Sequence, residues 1–127
     1  MTPAHIISTL RDFGKAAGIG DFLLSARDSA AVRFDTGATL RFEFFNDALT
    51  VLMTVPCRPE VDDVKRLLAY ACPPPQGGRR PLRAGYLVKN SCAVFALRID
   101  EGSVTLPSVN AAFSELWRIA NEFGGPQ

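Results

Sequence analysis

Histidine is nearly missing from this chain of 127 residues: His5 is the only one. That scarcity removes most general acid–base and triad chemistry at the outset. A lone histidine in the first turn of a predicted helix is ordinarily solvated or capping, and no GxSxG context offers it a serine partner. Cysteine is also sparse and odd in number. Cys57, Cys72 and Cys92 are widely spaced beside or within apolar elements, with no CxxC, so they read as buried free thiols. One histidine and scattered thiols leave too few ligands for structural zinc, and no metal is expected. Gly18-x-Gly20 lacks both the third glycine and the preceding strand of a dinucleotide fingerprint, and no cofactor is expected. Charge of one sign is missing too. A formal net charge of +1 excludes an electrostatic commitment to nucleic acid or an anionic membrane. No apolar run is long enough to span a bilayer. Met1-Thr2-Pro3 leads into a helical pattern rather than a basic stretch and apolar run, so no signal peptide is read and the expected location is the cytoplasm.

What the chain does have is apolar patterning. Hydrophobic residues are 47% and charged residues 21% of the total, the balance of a globular chain, and the length suits one domain over 1–127. Residues 3–17 read as a helix capped by Thr2, with Ile6, Ile7, Leu10, Phe13 and Ala17 on one face and Gly18 as a left-handed stop. A three-stranded meander follows. It runs from Ala31 to Phe34, then through Leu40, Phe42 and Phe44, then from Leu49 to Val55, with turns at Asp35-Thr36-Gly37 and Asn46-Asp47. Pro59 opens a middle helix to Ala71, whose apolar face carries Val61, Val64, Leu67 and Leu68 and which stops at Pro73-Pro74-Pro75. A hairpin, Leu82–Val88 with Cys92–Ile99, precedes a last helix over Pro107–Phe123. Its stripe is Val109, Phe113, Leu116, Trp117, Ala120 and Phe123. Grouped strands separated by helices argue an α+β fold with an antiparallel sheet and three helices, in the order α-β-β-β-α-β-β-α.

No reaction class emerges from the polar residues. Asp62-Asp63 sits where a helix dipole favours negative charge, and Asp100-Glu101 lies at a turn facing water. Arg79, Arg80 and Arg83 cluster, but most of the nine phenylalanines hold alternating core positions rather than interleaving with basic groups. The apolar helices are the remaining signal. With two of them covering a sheet face, the third is left to a partner, and an uncovered apolar helix calls for dimerisation.

The order of elements and the residues of the last third carry a resemblance. Leu82-Arg83-Ala84-Gly85-Tyr86-Leu87, the strand Ala93-Val94-Phe95-Ala96-Leu97, Ser103-Val104-Thr105-Leu106-Pro107, and a helix with Ala112-Phe113 and Leu116 are similar to the class I chaperones of bacterial type III secretion. Gly37-Ala38-Thr39-Leu40 extends the likeness into the meander. The resemblance implies a cytoplasmic, non-enzymatic dimer with no ATP requirement. It would bind the N-terminal region of a secreted effector or gatekeeper protein and keep it export-competent. It also implies pairing through the middle helix, with Val61, Val64, Leu67 and Leu68 at the interface, to a second copy or to a second small chaperone. The client would lie extended, adding a strand to a sheet edge and setting side chains into a groove. We expect that groove at Ile6, Leu10, Phe13, Phe42 and Phe44. Such chaperones are commonly acidic, whereas this chain is nearly neutral. A subunit of the same fold that assembles with folded partners, without a secreted client, is the alternative.

Overall fold

The computed structural model describes residues 2–18, 29–57, 65–67, 82–87, 89 and 91–123. Helix α1 spans Ala4–Ala16. It opens one residue later than expected, because Pro3, in extended geometry, is the N-cap. The Pro3 carbonyl accepts the first bonds, from the amides of Ile6 and Ile7 at 3.1 and 3.2 Å. No side chain caps this end, and Thr2 is buried instead of performing that task. At the far end Gly18 takes φ +74° and its amide donates to the Lys15 carbonyl, the left-handed stop that glycine permits.

Five strands follow: β1 (Ser29–Arg33), β2 (Thr39–Phe45), β3 (Ala48–Pro56), β4 (Arg83–Leu87) and β5 (Cys92–Asp100). All neighbouring pairs are antiparallel, and the order across the sheet is β1-β2-β3-β5-β4. The last hairpin therefore enters with its second strand against the meander and its first strand at the edge. The β1–β2 turn rests on Gly37 at φ +92°. The β2–β3 connection is two residues long, and Asn46 and Asp47 both adopt positive φ (51° and 57°). That is the geometry whose twist matches a tight hairpin, and these residue types tolerate it.

Alternation sorts each strand into two faces. Leu40 lies opposite Met53, Phe42 opposite Val51, Met53 opposite Phe95 and Val51 opposite Leu97, so one face is a continuous apolar layer. Helices α1 and α3 (Leu106–Phe123) cover that face. Helix α3 begins with a reciprocal cap: the Ser108 amide donates to Thr105 Oγ1 at 3.2 Å, and the Thr105 amide donates to Ser108 Oγ at 2.9 Å. Its buried stripe is Val109, Ala112, Leu116, Ile119, Ala120 and Phe123. Phe113 and Trp117, expected within the stripe, sit at its margin, where their rings pack at 5.4 Å from Phe13 and 5.0 Å from Phe34.

Of the middle helix, α2, residues 65–67 are described. Leu67 joins the common core. Arg66 donates to the Phe123 carbonyl at the C-terminus of α3, and its guanidinium lies 4.9 Å from the centre of the Phe123 ring. A cation at that position complements the negative end of the helix dipole and packs on a π-face at once.

Phe42 is fully buried and its ring stands edge-on to Phe13 at 5.5 Å, so Phe42→Ala is expected to cost about 3–5 kcal/mol in urea unfolding. Gly37→Ala faces two penalties: a positive φ, and a Cβ that would stand 3.2 Å from Pro56 Cγ. More than about 1 kcal/mol of destabilisation is expected in the same assay.

Candidate interaction surfaces

The expected client groove on α1 and β2 is not a surface. Ile6, Leu10 and Phe42 are 0% exposed and Phe13 is 1% exposed. The reason is the docking of α1: the stripe that an amphipathic helix must bury is the one it lays on the sheet, and Phe42 is on the receiving face. Phe44 alone of the five keeps partial exposure, packed against the margin of the core. Of the expected dimer residues, Leu67 is 4% exposed and occupied within its own chain. Val61, Val64 and Leu68 lie outside the described residues.

The opposite, outer face of the sheet carries no helix among the described residues. Register places its side chains in rows across the strands. Arg33, Thr39, Thr54, Val94 and Gly85 form one row from β1 to β4, and Ala31, Arg41, Leu52, Ala96 and Arg83 form the next. Pro56, Cys92 and Leu87 flank the first row on its other side. Small residues along the first row leave a trough of about 530 Å³, lined by Thr39, Arg41, Leu52, Thr54, Gly85, Leu87, Cys92 and Val94 among others. The two large hydrophobic residues most exposed to solvent among those described, Phe45 (72%) and Leu87 (46%), both point to this side. Its strand positions hold four arginines, at 33, 41, 83 and 98, against the carboxylates of Glu43 and Asp100. Arg41 pairs with Glu43 at 3.5 Å and Arg98 with Asp100 at 3.7 Å, while Arg33 and Arg83 have no ion pair among the described residues.

Two further features open to solvent. Among the described residues strand β1 is paired on one side only, by β2, and its sequence Ser-Ala-Ala-Val-Arg has neither proline nor a central charge to blunt that edge. Beyond the end of β4, a groove of about 380 Å³ runs between β5 and α3. It is lined by Leu82, Leu97, Ile99, Ala111 and Ala112 with polar Ser108 and Glu115. Sequence reasoning missed this groove, although Ala111-Ala112 marks the place where α3 is too thin to fill its contact with β5.

Polar groups here hold the fold together. His5 Nε2 lies 3.2 Å from the Glu101 carbonyl oxygen, tying α1 to the turn after β5, and Tyr86 Oη donates to the Cys57 carbonyl at 3.3 Å. Cys57 is buried, and Cys92 is a free thiol half-buried in the trough. Burial pushes the Cys92 thiol above its ordinary pKa, which keeps it protonated and slow to react at neutral pH. Among the described residues, no helix is long and apolar enough to cross a membrane, and no cluster of three or more acidic, histidine or cysteine side chains could hold a metal ion.

Comparison with known proteins agrees with this geometry. The family model described as "Type III secretory system chaperone SycN" matches residues 6–123. The chaperone protein SycN of Yersinia enterocolitica is 41% identical over 51 residues, which is 40% of this chain and 41% of that protein's length. Among solved structures, the ExsC–ExsE complex superposes with a TM-score of 0.77 at 14% identity, covering 98% of this chain and 95% of the other. The HopA1–SchA chaperone–effector complex gives 0.75 at 13% identity, with 94% and 92% covered. The Yersinia pestis type III secretion chaperone SycH, solved with a fragment of YscM2, gives 0.71 at 14% identity, with 93% and 98% covered. At such identities these structures establish the shared fold.

Proposed function

Because this chain belongs to the SycN family of type III secretory system chaperones, we propose that it binds the N-terminal region of a secreted effector or gatekeeper protein in the cytoplasm and holds it unfolded for export. The family match along residues 6–123 carries this reading. The open β1 edge supplies a physical means. An extended client segment has a row of unsatisfied backbone donors and acceptors, and Ser29–Arg33 offers the complementary row. Held extended, the client cannot gather its own apolar side chains into a core, so it stays locally unfolded without any input of ATP. The groove between β5 and α3, lined by Leu82, Leu97 and Ile99, takes the side-chain role first expected at Ile6, Leu10, Phe13 and Phe42. Phe44, half-buried beside β1, remains a contact for the added strand.

The working unit is a dimer, formed with a second copy or with a second small chaperone. With Leu67 committed to its own core, Val61, Val64 and Leu68 carry the pairing. The protein has no catalytic task.

Co-expression with N-terminal fragments of the proteins exported by its host's secretion system should yield a retained fragment. Hydrogen exchange should then slow at alternate amides of Ser29–Arg33. Retention of folded subunits instead would favour an assembly role, and retention of a client with β1 amides unchanged would remove the edge from the mechanism. Val64→Asp with Leu68→Asp should convert the dimer to monomer by light scattering; an unchanged mass would sink the middle-helix interface.

A further inference from the structure

We propose that the trough on the outer face of the sheet is a second seat for the client, taking an extended segment with an apolar side chain set over Gly85 and acidic residues reaching Arg33 and Arg83. This inference rests on the chaperone reading and adds to it a face, a chemistry and a direction.

Gly85 is the first observation. It lies in the interior of β4, opposite Val94, with no positive φ, and a Cβ built on it would meet nothing within 4 Å. Among the described residues nothing in the packing at that point calls for a glycine, and a strand interior is weakened by the missing side chain. Bare backbone in a strand that no internal packing requires marks a place where another chain comes close. Here it forms the end of the row of small residues, Thr39, Thr54 and Val94, that floors the trough.

Charge is the second. The strand positions of this face carry four arginines against two carboxylates, and Arg33 and Arg83, both exposed, lie on the two edge strands. The apolar centre of Leu52 and Val94, continued by Leu87 at the β4 edge, thus has cations on both edge strands. A segment with an apolar residue between acidic ones is complementary to that arrangement. A second copy of the chain is less so, since it would set two faces against each other that both have more arginines than carboxylates. The shape also favours a single strand of polypeptide. The row crosses five strands, about 19 Å at the usual spacing, which roughly six residues of extended chain would span.

The test compares the wild-type chain, Gly85→Leu, and Arg33→Glu with Arg83→Glu, using as probe the N-terminal client fragment that the wild type retains. Gly85→Leu should melt no lower than wild type yet bind the fragment more than about tenfold more weakly. The arginine pair should lose a similar factor, and the loss should shrink as salt is raised. Alkylation of Cys92 by N-ethylmaleimide, read by mass mapping, should slow in the wild-type complex. Should Gly85→Leu melt lower, the arginine pair decides. Variants that hold the fragment as tightly as wild type, with Cys92 equally reactive in free and bound chains, would overturn the trough and leave the chaperone reading standing. If Gly85→Leu altered only the mass seen by light scattering, the face would be a subunit contact and the proposal would be wrong. A wild-type chain that retains no fragment would bring down both readings.

Discussion

The structure depends on one ring. Phe13 of α1 stands edge-on to Phe42 of the sheet at 5.5 Å and edge-on to Phe113 of α3 at 5.4 Å, so a single side chain joins the three components of the fold. Each such contact adds about 0.5–1.5 kcal/mol to the burial of the rings themselves. The same layer continues through Phe34 against Trp117 and ends with Phe95 against Phe123, where Arg66 brings in the middle helix. The buried stripe of α1, Ile6, Leu10 and Phe13, is consumed in this layer. Both long helices are thereby committed to one face of the sheet, and among the described residues no helix covers the other face.

The order of elements was legible because it rests on local signals. Alternation in Leu40–Phe44 and Leu49–Val55, the 3.6-residue stripe of α1, and the punctuation at Gly18, Gly37 and Asn46-Asp47 each act within a few residues. What could not be read is which of two apolar surfaces a given residue meets. Phe42 and Phe44 share a strand face and a side-chain type, yet one is sealed by Phe13 and the other lies at the margin. Only the docking position of α1, a matter of tertiary geometry, separates them. The placement of β5 between β3 and β4 is also non-local: both hairpin strands carry similar patterns, and nothing within either says which one joins the meander. Leu67 shows the same ambiguity, since an interface stripe and a core stripe have one period.

A protein that must accept an unfolded chain and yet stay in solution has opposing requirements. Exposed edges and apolar troughs invite self-association as readily as client binding. In this chain the two edge strands, β1 and β4, are five residues long each, and Arg33 and Arg83 stand at their ends. The trough has Leu52 and Val94 at its centre and Leu87 at the β4 edge, but arginines on both edge strands. Salt bridges such as those of Arg118 with Glu115 and Glu122 keep the solvent face of α3 polar; exposed pairs of this kind contribute little stability, so their effect is on solubility.

Near-neutral overall charge conceals this local arrangement. A formal charge of +1 averages over a sheet face rich in arginine and a remainder that offsets it. Long-range attraction is therefore weak, and within a Debye length of about 8 Å at physiological salt only the local pattern is felt by an approaching segment. In the proposed mechanism selectivity comes from short-range fit: an edge that demands extended backbone, a bare glycine that admits one side chain, and cations placed to reward acidic neighbours. None of these needs a reactive group. On that mechanism the scarcity of histidine in the sequence and the apolar bias of its last third are two aspects of one design, in which binding is done by backbone, shape and a few arginines.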